Sequence, residues 1–103
     1  MTHPLHTAEQ AAATLTLPAL LDMRQAAPLR DLLLTALAAE APIRLDGAAV
    51  ERLTTPCAQV LLAAAADASR RHLPFQLCNP SPALGAGFTA LGLKTTLNDW
   101  SAA

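Results

Sequence analysis

Eight prolines in a chain of 103 residues set its grain. A residue with a locked φ and no amide hydrogen fits only the first turn of a helix, a strand edge or a turn. Pro18 therefore closes Thr14-Leu15-Thr16-Leu17, whose alternation of polar and apolar residues is the period of a strand with one buried face. Pro28 is accommodated if a regular helix begins near Ala27 after a loose first turn, and Pro42 keeps that helix from running past about Ala39. Pro56 directly follows Thr55 and Pro82 directly follows Ser81, which is the order of cap and first helical residue at a helix start. The breakers leave room for short elements only, in the order strand, helix, strand, helix, strand, helix.

The side chains between the breakers support that order. Asp22 can cap the first helix, with Gln25 at the reciprocal capping-box position, and Leu29, Leu32, Leu33, Ala36 and Leu37 then form one apolar stripe. Ile43-Arg44-Leu45 reads as a short strand closed by the turn pair Asp46-Gly47, and a linking stretch through Val50 and Leu53 follows. The second helix starts with Thr55 as its cap, lines one face with Cys57, Val60, Leu61, Ala64 and Ala68, and ends around Arg71-His72. Phe75 to Cys78 is a third strand. The third helix opens on Ser81, places Leu84, Phe88 and Leu91 on one side, and closes on Gly92 with Leu93 behind it, as in a Schellman ending. The tail from Thr95 is expected to add a strand or turn around Leu97 and Trp100. Strands joined through helices should lie parallel, so the fold class is α/β, a small, mixed but mainly parallel sheet with helices mostly on one face.

Hydrophobic residues make up 52% of the chain and charged residues 15%, enough apolar surface for one core and too short a chain for two. The single domain is placed at residues 13–100, with 1–12 a poorly ordered terminus or short edge strand and 101–103 a tail. A formal net charge of −1, with no basic cluster beyond Arg70-Arg71, argues against nucleic acid as a partner, as do aromatics at 3%. The first twenty residues lack the pattern of a signal peptide, and no stretch reaches membrane-spanning length without a charge or proline. Cys57 and Cys78 form no CxxC pair and have no neighbouring histidine to complete a zinc set. These features point to a reduced, cytoplasmic protein without metal, cofactor or direct membrane insertion.

None of the four glycines, 47, 85, 87 and 92, has the spacing of a mononucleotide loop, and Gly85-Ala86-Gly87 reads as a place of close helix packing. His3, His6 and His72 are scattered and lack a positioned acid or thiol partner. The hydroxyls of Thr55 and Ser81 admit two readings, nucleophile or helix cap, and both stand where capping is common. The outward face of the second helix, Gln59, Ala63, Ala66 and Arg70 flanked by Leu62, is small and nearly uncharged. Leu34 on the first helix points away from its own stripe. A smooth face beside the Thr54-Thr55-Pro56 turn would admit another protein closely.

Taken together, Leu20-Leu21-Asp22, Ala27-Pro28-Leu29, the Ile43 to Asp46 strand, the Val50 to Gln59 loop and helix start, Phe75 to Ser81, and Leu91-Gly92-Leu93 resemble the STAS domain of anti-sigma-factor antagonists over most of residues 13–98. In that family the loop before the second helix carries an Asp-Ser-Ser-Gly-Leu type motif, whose second serine is phosphorylated by a partner kinase that is also the anti-sigma factor. That motif falls on Thr54, Thr55, Pro56, Cys57 and Ala58, so Pro56 stands at the acceptor position and Thr54 in place of the acid. Thr55 keeps a hydroxyl one position earlier and is the candidate phosphorylation site. It resembles the threonine of small STAS subunits in bacterial lipid-transport ABC systems, and Thr-Pro variants also resemble stand-alone STAS proteins of chemotaxis-type signalling.

The resemblance implies a non-catalytic bacterial module of signal transduction and transcription regulation, acting by protein–protein contact. The expected docking surface is Thr54, Thr55, Pro56, Gln59, Leu62, Ala63 and Ala66, and the expected partner an anti-sigma-factor-like kinase or signalling protein. One alternative is an accessory subunit of a lipid-transport ABC ATPase. Another, from a different class, is a small nucleotide-binding protein using Ser81 or Thr55. Neither the oligomeric state nor the pathway is legible in the residues.

Overall fold

The structure, a computed structural model, describes residues 14–101, so the expectations for residues 1–12 and 102–103 lie outside the described residues. In chain order the elements are β1 (Thr14–Thr16), β2 (Leu20–Leu21), a 3-10 turn (Met23–Gln25), α1 (Ala26–Ala38), β3 (Ile43–Asp46), β4 (Arg52–Leu53), α2 (Thr55–Arg70), β5 (Phe75–Cys78), α3 (Pro82–Ala90) and α4 (Lys94–Ser101). Strands β1, β3 and β5 form one parallel sheet in that order, with Leu15 opposite Leu45 and Leu45 opposite Leu77. A second, two-stranded parallel sheet pairs β2 with β4.

The alternation along β3 decides which side of the sheet is dry. Ile43 and Leu45 are buried, while Arg44 is exposed and its Nε donates to Gln76 Oε1 on the neighbouring strand. Against the dry face pack Leu29, Leu33 and Leu37 of α1 and Cys57, Leu61, Ala64 and Ala68 of α2, giving the expected mainly parallel α/β sheet with helices on one face. At about 25 cal/mol per Å2 of apolar area, each of the buried leucines contributes roughly 2 kcal/mol against exposure.

Several local expectations are corrected. The linking stretch around Leu53 and the pair Leu20-Leu21 are strands, too short to show any periodicity. The tail is a helix, not a strand or turn, because Leu97 and Trp100 at helical spacing seat against the core; the Trp100 ring meets Phe75 and Phe88 edge-on at 5.1 and 5.5 Å. Leu32 and Leu91 are exposed, although each continues an apolar stripe: Leu32 sits one step outside the arc that faces the sheet, and Leu91 is the residue at which α3 ends. Gly87 does permit close packing, since a Cβ there would lie 3.0 Å from Leu53 Cδ2, but Gly85 faces open space.

Helix ends follow a common plan. After α3, Leu93 N–H donates to Phe88 O and Gly92 N–H to Thr89 O, the two bonds of a Schellman motif, with Gly92 at φ +75°. After α2 the same two bonds run from Leu73 to Ala68 and from His72 to Ser69, with His72 in the left-handed position at φ +59°.

Candidate functional site

The corner that opens α2 is built from three neighbouring segments. Thr54 is extended (φ −110°, ψ 161°) and is the last residue before the helix, so Thr55 is the first helical residue and Pro56 the second. This corrects the expected cap by one position. Thr54 does not cap through its side chain either: its hydroxyl donates to Leu21 O at 2.7 Å, while its amide donates to the same carbonyl at 3.0 Å. Both bonds tie the corner to β2, and proline at the second position costs nothing because that amide has no acceptor within the helix.

One turn on, Cys57 Sγ donates to Asp22 O at 3.2 Å, which joins the corner to the 3-10 turn whose first amides Asp22 caps. The Gln25 side chain forms no capping bond at the start of α1. Burial pushes the Cys57 thiol above its ordinary pKa and the Asp22 carboxylate adds to the shift. The Thr54 hydroxyl pulls the other way but has committed its proton to Leu21.

Thr54 is thus consumed by the fold, whereas Thr55 is exposed and, among the described residues, forms no side-chain hydrogen bond. On the segment that carries Leu21 and Asp22, the fold leaves two large apolar side chains out, Leu20 and Met23, 49% and 75% exposed. Their signal in the sequence was weak, because a leucine or methionine is most often buried and a singly exposed one needs no special explanation.

The expected docking residues divide into two groups. Pro56, Gln59 and Ala63 line a groove of about 490 Å3 between α1 and α2, whose opposite wall includes Leu33, Leu34 and Leu37. Ala66 is exposed on the outer face of α2, and Leu62 lies on the flank turned away from the groove, half-buried against the core. Val60, read as core, is half-buried and lines the groove. Arg30, Asp67 and Arg70 complete its rim. Arg70 was read on the outward face of the second helix, whereas Arg30 and Asp67 went unassigned because a charge on a helix is usually just a solvated face.

The two hydroxyls once open to a nucleophilic reading have different fates. Ser81 is buried, donates to Val50 O at 2.6 Å and accepts from Leu84 N–H at 3.0 Å, so it is the cap of α3. Among the described residues there is no group of three His, Cys, Asp or Glu side chains able to hold a metal, and no helix is long and apolar enough to cross a membrane. The two cysteines are free thiols.

A parallel sheet with one dry face, covered by two helices that present a hydroxyl-bearing corner, defines a small α/β module with surfaces for contact. The family model described as "Mlab, STAS domain" matches residues 6–98, nearly the whole chain. The chain belongs to the STAS domain family, whose members are generally non-catalytic regulatory modules of the anti-sigma-factor-antagonist kind. No curated protein matches the chain.

Proposed function

We infer that this chain regulates a kinase-like or chemotaxis-type signalling protein by docking on it through the Thr54-Thr55-Pro56 corner and the outer face of α2. The observation that carries this reading is the contrast within the corner. Thr54 spends its hydroxyl on the fold, while Thr55 is exposed and, among the described residues, offers a hydroxyl that the fold does not use. An exposed, unspent polar group at a helix start, with exposed Leu20 and Met23 on the segment to which Thr54 is bonded, suits a protein interface. Pro56 at the acceptor position removes the hydroxyl of the usual phospho-switch, so contact without modification at that position is the working mode. A phosphate on Thr55 would add a charge of about −1.5 to −2 at a helix start, tolerated by the helix and repelled by an acidic partner.

A second reading has its own support: Thr55 resembles the threonine of small STAS subunits in lipid-transport ABC systems, and the description of the matching family names Mlab. Here the partner is the ATPase of a transporter, met through the same corner. The nucleotide-binding reading has less behind it, since Ser81 is occupied as a cap and α2 opens on Thr-Pro without a glycine-rich loop.

Co-purification from the native cell with the chain as bait tests the interface, repeated with Thr55→Glu and Ala63→Arg, both at exposed positions that leave the core intact. Loss of the captured partner in Thr55→Glu is expected. Undiminished capture by both variants would remove the surface from consideration. Recovery of a transporter ATPase in place of a signalling protein would decide for the second reading.

A further inference from the structure

The groove between α1 and α2 has a shape and charge pattern that specify an occupant. The two helices run side by side in the same direction: Ala26 and Pro56 line one end of the groove, Leu37 and Arg70 the other, and Arg71 Nη1 donates to Leu37 O across that far end. Leu33, Leu34 and Leu37 on one wall and Val60, Ala63 and Ala64 on the other make it apolar along its length. The alanines keep it deep on the α2 side.

The rim carries an excess of positive charge. Arg70 and Arg71 share the carboxylate of Asp67, at 3.1 and 3.4 Å, and Arg30, among the described residues, meets only the exposed Asp31 at 3.8 Å. Among the described residues, three guanidiniums thus face two carboxylates. With a rise of 1.5 Å per residue, Arg30 lies about 6 Å along the groove from Ala26 and Arg70 about 21 Å from Pro56, so the two are roughly 15 Å apart along its axis. An α-helix covers that distance in about ten residues.

We propose that this groove receives an amphipathic helix of a partner protein, its apolar stripe laid between α1 and α2 and two acidic side chains about ten residues apart pairing with Arg30 and Arg70. The two-ended charge pattern is what selects a helix. A fatty acid or other single-headed amphiphile meets one guanidinium and leaves the other idle, and a membrane surface cannot reach a floor recessed between helices. The occupant deepens the docking reading above and rests on it only for the identity of the protein that supplies the helix.

The test uses the full chain and a fluorescent designed peptide of about 16 residues, with leucines at helical spacing and two glutamates about ten residues apart. Anisotropy should show saturable binding that weakens about tenfold in the Arg30→Glu/Arg70→Glu double variant and with rising salt. Binding of that variant should be restored by the peptide carrying lysines in place of the glutamates. Circular dichroism confirms that the variant is folded, as expected for two exposed side chains. No saturable binding below about 1 mM, equal affinity for both peptides, or dodecanoate binding with the same dependence on both arginines would each overturn the proposal. If the natural partner is lost in Thr55→Glu yet kept in the arginine double variant, the groove assignment fails while the corner reading stands. The reverse pattern separates them the other way.

Discussion

Replacing Ser81 by alanine should remove two bonds that no neighbour can replace. The hydroxyl accepts from Leu84 N–H at the start of α3 and donates to Val50 O in the loop before β4, and both Ser81 and Val50 are buried. Losing the cap costs about 1 kcal/mol. Leaving the Val50 carbonyl unpaired away from water costs roughly another 1–2 kcal/mol. The sum, about 2–3 kcal/mol, corresponds in a domain of this size to a midpoint lower by roughly 10–20 °C. Urea unfolding followed by circular dichroism measures the loss directly, and an unchanged m-value would show that the folded and unfolded states keep their extent. Ser81→Gly separates the two contributions, because glycine caps nearly as well as serine and forfeits mainly the bond to Val50. A Ser81→Ala loss within about 0.5 kcal/mol of zero would refute the claim that this hydroxyl is a structural tie.

Cys57 should make stability fall in alkali. Its folded pKa is raised, so above the unfolded value of about 8.5 the unfolded chain releases a proton that the native chain keeps. Stability is therefore complete below that pH and declines by up to about 1.4 kcal/mol per pH unit until the folded thiol itself ionises. Urea midpoints between pH 7 and 10 should show this slope in the native chain and not in Cys57→Ala; equal slopes would refute it. His72→Gly should gain about 0.5–1 kcal/mol by relieving a left-handed residue in a Schellman ending, whereas Gly92→Ala should lose about 1 kcal/mol; both are read by thermal unfolding.

What the residues disclosed in advance divides along physical lines. The strand at Phe75 to Cys78 and the Ser81 and Gly92 boundaries of α3 were legible because each rests on a local rule: alternation, a hydroxyl before proline, a left-handed glycine. The pairing of β2 with β4 was not, since two-residue strands exist only through their partner. The tail became a helix because Phe75 and Phe88 receive Trp100, a contact made across distant parts of the chain. At the corner, the turn was located correctly while the roles within it were displaced by one residue. The pull of Leu21 O on the Thr54 hydroxyl is a long-range bond that no cap rule contains. The groove escaped notice for the same reason, its walls being contributed by two helices whose neighbouring flanks each look ordinary alone.

Gly47 settles how the proposed docking corner is held before any contact. Its amide donates to Cys78 O, and its carbonyl accepts from both Val50 and Ser81. One residue thus knots the far ends of β3 and β5 to the loop that climbs toward Thr54, and a Cβ there would strike Leu84 at 2.7 Å. Held from below by this knot and from the side by Leu21, the corner would meet a partner in the proposed docking already in shape. Little ordering entropy remains to be lost on contact, so association should proceed in a single kinetic phase without a slow folding step.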